Sequence, residues 1–235
     1  MQDLILVGSG GCMRELFFQI EELNKEKPTW NVIGFVDEYY DFSDEHVKRV
    51  QKKCPYLGKD EILLNAEKEL NVAVCVGESL LRKKIVNKLK KNPNLHFPSI
   101  VLSNVKIAED VKLGEGCIVS MGAVVSTGAV LGNFVFLNMD TMICHEGVLG
   151  DFVTLSPRVG LAGNVTIGEE TEIGMAATVI QGIAVGERTI VAAGAVVVKN
   201  IESDVMAAGV PAIVKREKNT TIFKKIVTNL IESGI

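Results

Sequence analysis

The sequence predicts two joined architectures, an α/β Rossmann-like domain over residues 1–98 and an all-β coil of hexapeptides over residues 99–212. A tail with a short amphipathic helix follows over residues 213–235. Three observations carry this. A branched aliphatic residue recurs every six positions through the second half. Aromatic residues make up only 6% of the chain although 47% is hydrophobic, so the core must be built from small aliphatic side chains, as in repeats. Before residue 98, apolar runs alternate with amphipathic ones in β–α–β order.

Counted in sixes from Val105, the third residue is Ile, Leu or Val from Ile107 to Val197, in sixteen of sixteen hexads and without insertion. If about a quarter of positions held these residues by chance, such a run would arise about once in a few billion trials. Six residues are too few for a helical hairpin but suit a short strand and a turn. One branched side chain per unit points inward, and Gly, Asn, Asp or Glu occupies the turn. Three units close a triangular coil, and coils stack at about 4.8 Å, so sixteen hexads predict a parallel β-helix roughly 25 Å tall.

In the first domain, Asp3 to Val7 reads as a strand, followed by Gly8-Ser9-Gly10-Gly11 and an amphipathic helix from about Arg14 to Asn24. Val32 to Val36 is a second strand ending at Asp37-Glu38. Val72 to Val76 is a third, leading through Gly77 into a basic helix over Leu80–Lys91. Met13 stands where the third glycine of a dinucleotide fingerprint belongs, and about 98 residues are too few for two mononucleotide halves. A half-Rossmann holding one nucleotide or nucleotide-sugar fits better. Loop amides and the helix N-terminus would then face phosphates, with Asp37 accepting from hydroxyls. The alternative is that Gly8–Gly11 is only a tight turn. After Asn200 the hexads stop, Ala208-Gly209-Val210-Pro211-Ala212 ends the coil, and Thr220–Ile235 gathers six apolar residues on one helical face. That face either caps the coil or its neighbour, or binds a partner or membrane.

Composition narrows the function classes. A net charge of −4 and a pI near 5.5 give no broad footprint for nucleic acid. Met1 to Gly8 shows no signal peptide, and no apolar run is long enough to span a membrane. Cys12, Cys54, Cys75, Cys117 and Cys144 form no CxxC pair and read as reduced thiols, without a metal site. A cytoplasmic protein is expected.

Of three histidines, His46, His96 and His145, only His145 lies in the repeat, in the fifth place of its hexad and so at a corner. Glu146 follows it. A carboxylate on one imidazole nitrogen fixes the tautomer and raises the basicity of the other. Gly163, 18 residues on, stands one coil above. A base and a backbone amide stacked one rung apart suit acyl transfer, whereas a glycine serving only the turn would do nothing.

The hexads, the closing Gly209-Val210-Pro211-Ala212 and the segment His145-Glu146…Gly150-Asp151-Phe152 resemble bacterial left-handed β-helix acyltransferases. With Gly8-Ser9-Gly10-Gly11, Phe35-Val36-Asp37-Glu38 and Val76-Gly77-Glu78, the chain looks like the sugar O/N-acyltransferases of the sialic-acid O-acetyltransferase type, similar to UDP-4-amino-sugar and GDP-perosamine N-acetyltransferases. The resemblance implies left-handedness, a homotrimer with sites between neighbouring coils, acetyl-CoA as co-substrate and a nucleotide-sugar on the first domain. It makes His145 the general base, Glu146 its partner and Gly163 the amide facing the thioester carbonyl. It makes Gly10, Gly11, Cys12, Asp37, Glu38 and Gly77 nucleotide-sugar contacts, and Met175 and Ala193 contacts to the pantetheine arm. Thr154 stands where relatives often place a second, CoA-holding histidine, and Ser103-Asn104 where they often carry His-Pro.

The expected activity is acetyl-CoA-dependent N-acetylation of a nucleotide-linked amino-deoxysugar for surface glycan synthesis, by direct transfer. Two alternatives stay open: O-acetylation of a sialic-acid-like sugar, and a non-catalytic nucleotide-sugar-binding protein. A zinc carbonic-anhydrase-like coil would need about three converging histidines per site.

Overall fold

The computed structural model describes residues 1–40, 43 and 45–217; the helix expected over Thr220–Ile235 lies outside them. The first domain is a five-stranded parallel sheet of β1 (Gln2–Val7), β2 (Trp30–Val36), β3 (Tyr56–Gly58), β4 (Leu70–Val74) and β5 (Leu95–His96), in the order β3-β2-β1-β4-β5. Side chains alternate along β1. Leu4 and Leu6 pack with Met13, Leu16 and Ile20 of α1 (Gly11–Glu26), whereas Ile5 and Val7 pack with Val86 and Leu89 of α4 (Ser79–Leu89). A helix therefore covers each face. The smaller α2 (Glu45–Gln51) and α3 (Glu61–Leu64) flank β3. Two short strands, β3 and β5, escaped the sequence reading, and β4 ends two residues earlier than expected. Met13 is fully buried, filling the helix–sheet contact that a third glycine would have tightened.

The coil is a parallel β-helix of two-residue strands, each pairing with the strand 18 residues later, and these stack into three faces. Face I starts at Ile100–Val101, face II at Lys106–Ile107 and face III at Lys112–Leu113. The third residue of the hexads points inward, as expected. So does the first, in Cys117, Ala123, Ala129, Val135, Val153, Val159, Val165 and Ala177, which gives two inward residues per unit. The first place is mixed, with Cys, Ala, Thr and Gly beside Val, so it shows no unbroken run of branched residues in the sequence. The sixth place takes the left-handed conformation even where it is not glycine: Phe134 has φ 54°, Glu146 φ 51°, Phe152 φ 58° and Asn164 φ 56°.

The coil also runs past the last regular hexad. Val205–Ala208 pairs with Ile190–Val191, and Ile213–Glu217, where the tail was expected to begin, folds back on Val205–Ala208 as an antiparallel strand. Among the described residues no helix is long and apolar enough to cross a membrane.

The two domains share both hydrophobic clusters of the first. Ile100, Ile118 and Phe136 of face I join the α1 side, while Phe134 and Phe152, on the edge between faces III and I, join the α4 side. Face I is thus covered, and the edges joining it to face II and joining face II to face III carry the remaining expected site residues.

Candidate active site

His145 sits on the edge between faces II and III, after the strand Met142–Ile143. Its side chain is about half exposed, and its Nδ1 hydrogen-bonds the Glu146 carboxylate. With the ring proton on Nδ1, where this carboxylate accepts it, the Nε2 lone pair is left to accept a proton. Gly163 lies on the next rung against the ring, and a β-carbon there would stand 2.3 Å from Nε2. Asn164 N donates to the His145 carbonyl at 2.9 Å, locking the two corners together, and among the described residues none accepts from the Gly163 N–H. An imidazole held by a carboxylate beside an undirected amide can take a proton and steady an oxyanion at one place.

The structure does not gather the other expected residues there. Met175 and Ala193 are exposed one rung apart on the edge between faces I and II, where Gly194 N donates to Met175 O at 2.8 Å. Within one chain they stand on a different edge from His145. Thr154, expected at the cofactor, is buried on face I instead. Its hydroxyl accepts from Arg82 Nη2 at 2.8 Å and donates to Gly77 O at 2.7 Å, so it serves the domain interface.

The first domain offers a separate cleft at the carboxyl ends of β1, β2 and β4, where open parallel sheets bind ligands. A cavity of about 230 Å³ is lined there by Gly8, Asp37, Glu38, Val76, Lys84 and Lys88, among others. Asp37 accepts from Ser9 Oγ at 2.6 Å and from Tyr39 N at 2.7 Å. Lys88 bridges Asp60 at 2.8 Å and Glu38 at 3.3 Å. The carboxylates beside Lys88 raise its pKa above the usual lysine value.

Of the expected contacts Asp37 and Glu38 line this cavity, whereas Gly10, Gly11, Cys12 and Gly77 do not, and the glycines nearby divide by cause. Gly8 has φ +107° and makes the turn. Gly10, Gly11 and Gly77 have no left-handed φ, and a β-carbon would meet nothing closer than the Arg14 guanidinium at 3.9 Å, so neither the turn nor packing demands glycine there. The two helix N-termini at this edge also differ. The start of α4 is filled by Glu78, which accepts from Leu80 N and Leu81 N, and by Glu172, which accepts from Ser79 N at 2.8 Å. Gly10 gives α1 no side-chain cap, which leaves its first amides to an anion. Cys12 follows, but burial pushes its thiol up to about 12 and its side chain packs on the core, so it offers no side chain to a ligand.

Arg82 is the residue the sequence reading missed. It is 2% exposed between the domains. Its guanidinium donates to Phe134 O at 3.1 Å, Val76 O at 2.7 Å, Gly77 O at 2.8 Å, Phe152 O at 2.8 Å and Thr154 Oγ1. Burial lowers its pKa to about 10, opposed by Glu172, so it stays charged at neutral pH. In sequence it is one of several cations on a basic helix, and only the face it occupies distinguishes it.

Known proteins share both parts of this fold. A model of the PglD N-terminal domain matches residues 3–89, and a model of the hexapeptide repeat of succinyl-transferase matches residues 105–127 and 164–199. The acetyltransferase domain of PglB from Neisseria gonorrhoeae is 28% identical with a TM-score of 0.79, over 91% of this chain and 100% of that one. It has also been solved with acetyl coenzyme A. PerB from Caulobacter crescentus, in complex with CoA and GDP-perosamine, is 29% identical with a TM-score of 0.79, over 92% of this chain and 98% of that one. No curated protein matches the sequence.

A half-Rossmann domain seated on a left-handed hexapeptide coil, the arrangement of the acetyltransferases it resembles, defines an acyltransferase. The chain carries a PglD-type N-terminal domain over residues 3–89 followed by hexapeptide repeats, and over nine-tenths of its length it is similar to sugar N-acetyltransferases.

Proposed function

We propose that the protein transfers the acetyl group of acetyl-CoA to the amino group of a nucleotide-linked amino-deoxysugar, a reaction of surface glycan synthesis in the cytoplasm. The observation that carries this is the stack of Gly163 on the His145 ring, with Nδ1 held by Glu146. His145 Nε2 takes a proton from the attacking amine, the amine adds to the thioester carbonyl, and the Gly163 N–H stabilises the resulting oxyanion. Collapse expels CoA thiolate, which is protonated as it leaves, and no acyl-enzyme forms.

The sugar nucleotide binds at Gly10, Gly11, Asp37, Glu38 and Gly77, with a phosphate on the uncapped start of α1. The structures of PerB with GDP-perosamine and of PglB with acetyl coenzyme A support these two substrates. Met175 and Ala193 lie on another edge from His145, so acetyl-CoA is held between two copies of the chain in a homotrimer. Each site then combines the catalytic edge of one subunit with the pantetheine-binding edge of the next.

The test is release of CoA thiol from acetyl-CoA over a panel of nucleotide-linked 3-amino and 4-amino sugars and free sialic acids, with His145→Ala as control. Release with one amino sugar, lost in the control, is expected. Release only with a hydroxyl acceptor would assign O-acetylation instead. Absence of both release and acetyl-CoA binding would leave a nucleotide-sugar-binding protein.

A further inference from the structure

The helix α4 has two working sides. Lys84, Ile85 and Lys88 line the cleft of the first domain, while Arg82 and Ser79 face the coil. The loop before it is shared in the same way: the Val76 side lines the cavity, yet the Val76 and Gly77 carbonyls accept from Arg82 and Gly77 O also accepts from Thr154. Face I and the edge between faces III and I therefore grip this segment at three points. Thr154 holds Gly77, the Phe134 and Phe152 carbonyls hold Arg82, and Glu172 holds Ser79 through both its N–H and its hydroxyl at 2.8 Å.

Each grip ties coil to loop or helix, and none touches the cleft. Val76 lines the cavity and Gly77 follows it with open space where a β-carbon would sit, so the hydrogen bonds that fix the Val76 and Gly77 carbonyls fix this wall of the cleft.

We propose that Arg82 and Thr154 are positioning residues for the sugar nucleotide, which hold the 76–78 loop and the start of α4 in their binding geometry from the coil side. The inference rests on the nucleotide-sugar reading of the cleft. It assigns Thr154 a task in acceptor binding and none at the thioester. An isosteric Val at 154 removes one hydrogen bond to Gly77 and one from Arg82 while keeping the side chain's volume, whereas Ser keeps the hydroxyl.

The test compares wild type, Thr154→Val, Thr154→Ser and Arg82→Lys, all as full chains. Calorimetry measures affinity for GDP- and UDP-linked amino sugars and for acetyl-CoA, and hydrogen exchange follows the amides of residues 77–79 in the ligand-free protein. Thr154→Val should weaken the nucleotide-sugar about five- to twentyfold, leave acetyl-CoA within twofold and speed exchange of those amides, and Thr154→Ser should restore all three. Arg82→Lys, which cannot reach all its acceptors at once, should behave as Thr154→Val does. Unchanged loop exchange in Thr154→Val would overturn the inference. So would a loss of melting temperature without loss of nucleotide-sugar affinity, or a loss confined to acetyl-CoA. A wild-type protein that binds no nucleotide-sugar would sink the reading of the cleft and the inference with it, and is told apart because the defect then precedes any substitution.

Discussion

Gly163 lies against the imidazole of His145 so closely that a β-carbon at 163 would stand 2.2 Å from its Cε1. The backbone does not ask for glycine at this corner, since the left-handed position of the turn falls on Asn164 with φ 56°. The ring asks for it. A base and an amide that stabilises an oxyanion have to act on the same few atoms, and this contact brings them together without a loop or lid.

Gly163→Ala should therefore leave the coil intact and displace the ring. Misplacing a catalytic group by about 1 Å costs on the order of 10²-fold, so kcat should fall by roughly that factor with little change in melting temperature. Steady-state kinetics beside a thermal melt checks this, and an unchanged kcat would remove the stack from the mechanism.

His145→Ala should lose about 10²–10⁴ in rate, the usual worth of a general base. The half-exposed side chain adds little to the core, so the fold should persist. Glu146→Gln keeps the length and removes the charge that holds the Nδ1 proton, so its loss should be smaller, about tenfold. If Glu146→Gln costs as much as His145→Ala, the amide has turned the ring to its unreactive tautomer, and no loss at all would remove the carboxylate from the mechanism.

Phe134 and Phe152 stack with ring centroids 5.3 Å apart and planes 5° from parallel, with Lys83 over Phe152 at 5.7 Å. Both accept a left-handed φ, which costs about 1–2 kcal/mol per residue, and the contact with the first domain offsets it. Phe152→Ala should cost about 3–5 kcal/mol, because the ring is 6% exposed. A double-mutant cycle with Phe134→Ala should return a coupling of about 0.5–1.5 kcal/mol, read by denaturant melts.

Much of this was legible in the sequence because hexads repeat without insertion, so a count of 18 residues puts Gly163 on His145 with no other information. The sheet of the first domain was legible from β1, β2 and β4, which are long and apolar, while β3 and β5 are too short to show a period. The interface was not legible. Phe134 and Phe152 stand where a turn favours glycine or asparagine, and Arg82 stands among Lys83, Lys84 and Lys88, so composition reads a solvated basic helix. Thr154 faces the first domain because face I is the covered face, and a linear repeat does not say which of three equal faces another domain will choose.

The thiols give a prediction in pH. Burial pushes Cys12 and Cys54 up to about 12 and Cys117 to about 11, and raises Cys75 as well, from a usual value of 9.0. At pH 8 a thiol with a pKa near 12 is ionised in roughly one molecule in ten thousand, so iodoacetamide should label the half-buried Cys144 first and leave these four. Labelling of Cys12 should rise about tenfold per pH unit up to pH 10 without a plateau, which mass spectrometry of digests can follow. The same shifts bear on stability. These thiols keep in the fold protons that the unfolded chain releases above about pH 9, so their contribution is whole below that pH and is lost as pH climbs toward 12. The melting temperature should thus fall from pH 9 to 10.5, and fall less steeply in Cys54→Ala, whose replacement removes one titrating thiol. Equal slopes in both proteins, or rapid labelling of Cys12 at pH 8, would show that these thiols are not held in the core as the packing of α1 on β1 and β4 requires.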